Sequence, residues 1–190
     1  MPPDEKDAGG LTIQGILEAS LAIASAEDTE AVCRILTFWL IKLFPSSQVL
    51  ILLCDPSSNR AVFSMRDGIP EEDLEKASLL LLSSAFQGAL RSGQAEAVYD
   101  YDAPQRVRLI IPLQCRGKMI GILSLESQPG QGHFDQGTID LASVLTAQAA
   151  SAIELIRLHK AEQDRLTIEE KLIDAERRLS AGLKPIELPA

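Results

Sequence analysis

The sequence predicts an α+β domain, an antiparallel sheet flanked by helices, with a long C-terminal helix that pairs as a coiled coil. Three features predict it. Short apolar or alternating runs, rich in branched residues, follow one another through the middle of the chain and are separated by turn signals. Most of the helical periodicity lies at the two ends instead of alternating with the strands, which argues against a doubly wound parallel sheet. From Gln136 to about Ala181 a helical pattern continues without a strong breaker.

Met1 to Gly10 is polar, acidic and rich in Pro and Gly, and reads as a disordered tail without the basic start and apolar stretch of a secretory signal. Leu11 to Ala26 places Ile13, Ile16, Leu17, Leu21 and Ala24 at spacings of three and four, one face of a helix. Asp28 is a suitable N-cap for a second helix carrying Val32, Ile35, Leu36, Trp39, Leu40 and Leu43, which Pro45 ends. Gln48 to Cys54 is almost wholly apolar, as expected of a strand buried on both faces. The turn cluster Asp55 to Asn59 returns the chain into an alternating strand, Arg60 to Met65, closed by Asp67-Gly68. Glu71 to Arg91 reads as one helix with Leu74, Ala77, Leu81, Ala85 and Leu90 on its apolar face, stopped by Ser92-Gly93. Ala95 to Tyr101 is a short strand. Val107–Cys115 and Met119–Glu126 form a hairpin around Arg116-Gly117-Lys118, with Pro112 marking an edge position or a bulge. Gly121 allows close approach of a neighbouring backbone or helix. Ala142, Ala147, Ala149, Ala150 and Ala152 give the last helix a low-bulk face for close packing.

The 190 residues are 46% hydrophobic and 24% charged, enough for a real core. A net charge of −9 argues against nucleic acid and against an anionic membrane surface as partners. No uninterrupted apolar run reaches the ~18 residues of a membrane span. Cys33, Cys54 and Cys115 are scattered, which suits buried thiols in a reducing cytoplasm. With His133 and His159 as the two histidines, no clustered ligand set for a metal is visible.

Leu109 to Leu125, LIIPLQCRGKMIGILSL, resembles the GAF family of sensor domains in Pro112-Leu113, the basic turn Arg116-Gly117-Lys118 and Ile120-Gly121-Ile122-Leu123. Phe134-Asp135 and the stretch Leu145 to Ile153, LTAQAASAI, extend the likeness, which covers about Leu11 to Leu158. The resemblance implies a sensor domain over residues 11–157 in a bacterial signalling protein. It is silent on the ligand, because that fold serves many. The Cys-His pair of bilin-binding relatives and the Asn-Lys…Phe…Asp-Glu pattern of cyclic-nucleotide-binding relatives do not occur, and neither histidine is placed as a haem ligand. No cofactor is therefore expected. A pocket between the sheet and Ser92 to Gln105 would be lined by Phe63, Met65, Tyr99, Tyr101, Arg106 and Arg108. The alternative is that these aromatics are ordinary core and the arginines a solvated strand face. A sulfoxide-reducing thiol enzyme, known among free-standing relatives, would need a nucleophilic and a resolving cysteine, a pairing the spacing of the three does not display.

Beyond Ile156 the helix changes character. Leu158, Ala161, Arg165, Ile168, Leu172, Ala175 and Leu179 alternate spacings of three and four, a seam of about three heptads. Six basic and six acidic residues lie between Arg157 and Arg178. A two-stranded coiled coil over residues 158–181 in a homodimer is expected. The alternative is a lone amphipathic helix folded back on the domain. The stretch Ile168 to Pro189 resembles the linker that precedes the catalytic domain in GAF-containing metal-dependent serine phosphatases, with Leu183-Lys184-Pro185 and Leu188-Pro189 as the matching residues and 182–190 as tail or linker. The expected function is a non-catalytic regulatory module that binds a small molecule or a partner protein and relays the state to an effector phosphatase or kinase domain. A ligand-free dimerisation domain is the competing reading.

Overall fold

The structure is a computed structural model, which describes residues 5–44, 47–55, 58, 60–99, 107–127 and 134–182. By its internal contacts the chain divides after Glu154 into two units, 1–154 and 155–190. The first holds two helices, α1 (Glu5–Ala24) and α2 (Thr29–Leu43), then strands β1 (Ser47–Cys54), β2 (Ala61–Arg66) and β3 (Ile69–Pro70). Helices α3 (Leu74–Leu81) and α4 (Ser84–Ser92) follow, then β4 (Glu96–Tyr99), β5 (Val107–Cys115) and β6 (Lys118–Ser127). Helix α5 (Gln136–Gly182) begins in the first unit and makes up the described part of the second.

The six strands form one antiparallel sheet in the order β3-β2-β1-β6-β5-β4. The central strand β1 is buried over its last six residues, as expected of a strand covered on both sides. The β5–β6 hairpin closes through Arg116 (φ 52°) and Gly117 (φ 76°), a two-residue turn with both centres left-handed that matches the twist of the strands. Pro112 needs no donor on its outer side, because β4 pairs with β5 only up to Ile110. Gly121 is an approach point: a Cβ there would collide with the carbonyl oxygen of Leu52 and lie 3.0 Å from Leu53 Cα on β1.

Cross-strand partners share a face of a sheet. Leu50, Leu52, Ile110 and Ile122 therefore project to one side, where they pack with Ala77 and Leu81 of α3 and Phe86 and Ala89 of α4. Val49, Ile51, Leu53, Leu109, Leu123 and Leu125 project to the other. That side meets α2, whose Thr37 hydroxyl lies 4.0 Å from the sulfur of Met65. Asp28 Oδ1 caps α2 by accepting from Ala31 N at 2.7 Å. Asp135 does the same for α5, accepting from Thr138 N at 2.7 Å. Ala142, Leu145, Ala149, Ala150 and Ile153 of α5 are fully buried, while Ala147 is exposed.

Several boundaries differ from the sequence reading. Helix α1 starts at Glu5, upstream of the apolar periodicity that marks Leu11, because helix can propagate through polar residues that carry no core signal. The strand β3, two exposed residues after the Asp67-Gly68 turn, is too short to show a pattern. The single helix expected over 71–91 is two. Its buried positions, Ala77 and Leu81 then Phe86 and Ala89, slip by five at the junction, which one continuous helix cannot bring to one face. Ser83 is extended there (φ −63°, ψ 148°), and Gln87 Nε2 donates to the Leu81 carbonyl at 2.8 Å, satisfying the end of α3. Finally, an 18-residue window of α5 averages a hydropathy of 1.4, so by length and composition this helix could cross a membrane. A third of that window is buried in the protein, and the apolar residues that raise its average include the core residues just named.

Candidate functional site

A cavity opens on the α3–α4 side of the sheet. Four neighbouring strands supply its floor: Gln48 and Leu50 from β1, Arg66 from β2, Ser124 and Glu126 from β6, and Arg108 from β5. Leu80 of α3 and Phe86 of α4 form its roof. The register explains this set. Gln48 pairs with Glu126, Glu126 with Arg108, and Leu50 with both Arg66 and Ser124, so all six project the same way from adjacent positions. The enclosed volume is ≈ 70 Å³.

The electrostatics are built from two guanidinium–carboxylate pairs. Arg108 Nη2 donates to Glu126 Oε2 at 2.9 Å. Arg66 Nε donates to Glu71 Oε1 at 2.9 Å, and the Ser64 hydroxyl donates to the other oxygen of Glu71 at 2.6 Å. Burial by itself pushes the Glu71 carboxyl up, but the hydrogen bonds from Ser64 and Arg66, with the charges of Arg66 and Lys76, hold it below the usual carboxylate range. Each guanidinium thus uses one N–H group on its carboxylate. Ser124, 4% exposed, contributes its hydroxyl to the floor.

Of the six residues expected to line a pocket, Arg108 lines this cavity. Met65 and Phe63 project to the opposite face, Met65 fully buried under α2, because alternation on β2 turns Ser64 and Arg66 toward the cavity instead. Tyr99 ends β4, and its side chain lies outside the described residues, as do Tyr101, Arg106 and residues 100–105 of the segment expected to cover the site. The roof that is described comes from α3 and α4. Gln48, Leu50, Leu80, Phe86, Ser124 and Glu126 were not anticipated. Ser64, Ser124 and Glu126 did carry a signal, being polar residues that interrupt otherwise apolar strands.

The cysteines lie elsewhere. Cys33 and Cys54 are buried, and Cys54 and Cys115 stand at the far end of the sheet from Gln48 and Arg108. His159 is exposed, and His133 lies outside the described residues. On the second unit, Leu158, Ala161, Arg165, Ile168, Leu172 and Ala175 are all exposed, and Leu179 lies in the helix with its side chain outside the described residues. Arg165 reaches Glu162 at 3.0 Å and Glu169 at 3.8 Å within its own helix. Exposed Leu166 and Ile173 border the expected seam.

One antiparallel sheet clad by helices, with a cavity over four of its strands, defines the α+β class of this domain. The GAF domain profile matches residues 34–155, and the chain belongs to that family. Solved structures agree in fold. The GAF domain of a putative sensor histidine kinase from Pseudomonas syringae pv. tomato superposes with a TM-score of 0.64 at 14% identity, covering 85% of this chain and 97% of that one. Free methionine-R-sulfoxide reductase from Neisseria meningitidis, solved with its substrate, gives 0.61 at 21% identity, covering 84% and 96%. A GAF domain/HD domain protein from Geobacter sulfurreducens gives 0.56 at 16%, covering 72% and 98%. A search of the curated proteins finds no match.

Proposed function

We propose that this GAF domain is a non-catalytic regulatory module that binds a small molecule in the cavity beneath α3 and α4 and relays occupancy through pairing of α5 with that of a second copy. The observation that carries the reading is the cavity itself: convergent polar groups from four strands beneath an apolar roof. A concave site with a few convergent polar groups and an apolar wall is suited to a small ligand. The relay rests on the exposed Leu158, Ile168 and Leu172, at positions that would form a mutual seam. The burial of Cys33 and Cys54, away from the cavity, favours regulation over thiol chemistry in a reducing cytoplasm. The effector would be a kinase or phosphatase domain, in keeping with the likeness to the domain of a sensor histidine kinase.

Sedimentation equilibrium of the full chain tests this. A dimer is expected, and the double variant Ile168→Asp, Leu172→Asp should be monomeric while keeping its domain fold. Adding a ligand found by mass spectrometry in protein purified from its host should shift the dimer constant. A dimer that survives the double variant, or that ignores an occupied cavity, overturns the relay. The small size of the cavity gives the ligand-free dimerisation domain its one supporting observation. An empty cavity together with a dimer lost on seam substitution would establish that second reading.

A further inference from the structure

We propose that the cavity recognises a small monocarboxylate, an inference that rests on the ligand-sensing role above and names the chemistry of what is sensed. The charged residues lining the cavity are Arg66, Arg108 and Glu126, and Glu71 pairs with Arg66, so each guanidinium already meets one carboxylate. A monocarboxylate adds one negative charge to these two pairs, whereas a dianion would set two against Glu126 and Glu71. Both arginines retain donors. Arg66 is fixed through Nε and Arg108 through Nη2, and the other guanidinium nitrogens make no hydrogen bond among the described residues. A carboxylate, with two oxygens and several lone-pair sites, matches such a set better than a neutral amide or an amine can. The hydroxyl of Ser124 adds a polar group on the floor between them.

Size and polarity limit the remainder of the ligand. A volume of ≈ 70 Å³ is several-fold below the ~300 Å³ at which ordinary ligand pockets begin, and so admits a chain of only a few heavy atoms. Leu80 and Phe86 make the roof over the arginines apolar, and Leu50 adds an apolar side chain to the floor, which suits a short alkyl group. Glu71 and Glu126 act as positioning residues. They hold the two guanidiniums in place, so little side-chain freedom is lost when the carboxylate arrives.

The test is an NMR titration of the full chain with propionate, propionamide and propylamine, three probes of nearly one shape and three charges. Propionate should shift the Arg66 and Arg108 Nε–H signals and the Ser124 amide saturably, with the other two at least tenfold weaker. Arg108→Met should weaken propionate at least tenfold, and Arg108→Lys should restore part of the loss. If Arg108→Met does not fold, Ser124→Ala serves in its place, with a loss of threefold or more. Propionamide or propylamine saturating the same signals as well as propionate overturns the carboxylate and leaves the sensing role standing. The absence of saturable binding across a wider panel of small neutral and charged metabolites overturns both.

Discussion

The Glu71 carboxylate sits at the edge of the cavity, held by the Ser64 hydroxyl at 2.6 Å and Arg66 Nε at 2.9 Å. Burial opposes its charge, but these bonds and the neighbouring cations prevail, so its folded pKa lies below the ordinary 4.5. A group of this kind adds stability that is complete above its unfolded pKa and disappears as pH falls through its folded one. The Glu71→Gln variant should therefore be less stable than the parent at neutral pH, and the gap should close in mild acid. The side chains of Glu71 and Arg66 are 33% and 42% exposed, so solvent screening keeps the gap to about 1 kcal/mol or less. Urea denaturation of both proteins at several pH values measures it, and a gap that widens in acid would refute the assignment. The same few residues show what a sequence hides at this scale. Both Phe63-x-Met65 and Ser64-x-Arg66 are legible as alternating sets on β2. Which set faces the cavity depends on pairing with β1 and on the side α2 takes, neither of which is written locally. Arg108 could be chosen from sequence, whereas Gln48 and Glu126 become its neighbours only through register.

At the scale of elements, the strands and the hairpin were legible because each is strongly patterned and bounded by turn residues. The α3–α4 break was not, since its signal is a slip of five between buried positions and a polar pair, Ser83-Ser84, that helices tolerate. Pairing of whole strands is where Gly121 acts. Its α-hydrogen faces the carbonyl of Leu52, at the Leu53–Gly121 end of the β1–β6 ladder. Gly121→Ala places a methyl group on main-chain atoms, not on a side chain that can turn aside. The two central strands must separate or shear, and the cavity floor formed by Leu50 and Ser124 three positions away moves with them. A loss of about 1–3 kcal/mol is expected from overpacking of this kind. Chemical denaturation reads the loss, and a change below about 0.5 kcal/mol, the range of an ordinary surface substitution, would show the strands free to adjust.

For the whole molecule, the division after Glu154 predicts two stabilities in one chain. The first unit has a core drawn from both faces of the sheet, with Trp39, the one tryptophan, 7% exposed within it. The helix of residues 155–182 has no comparable core: Leu155, Leu158, Leu166, Ile168, Leu172 and Ile173 are all about half exposed or more. Intrahelical pairs such as Arg165 with Glu162 contribute only a few tenths of a kcal/mol each, and helices without tertiary packing are marginal in water. Under the proposed relay its stability comes from association, which depends on concentration. Two probes separate the units, since Trp39 fluorescence follows the first alone and far-ultraviolet circular dichroism follows both. Heating at low protein concentration should lose part of the dichroism before the fluorescence changes. A tenfold rise in concentration adds about 1.4 kcal/mol to the association and should move the early phase upward without moving the fluorescence midpoint. Coincident transitions at every concentration would mean that the helix draws its order from its own domain, and the relay through a second copy would lose its physical basis.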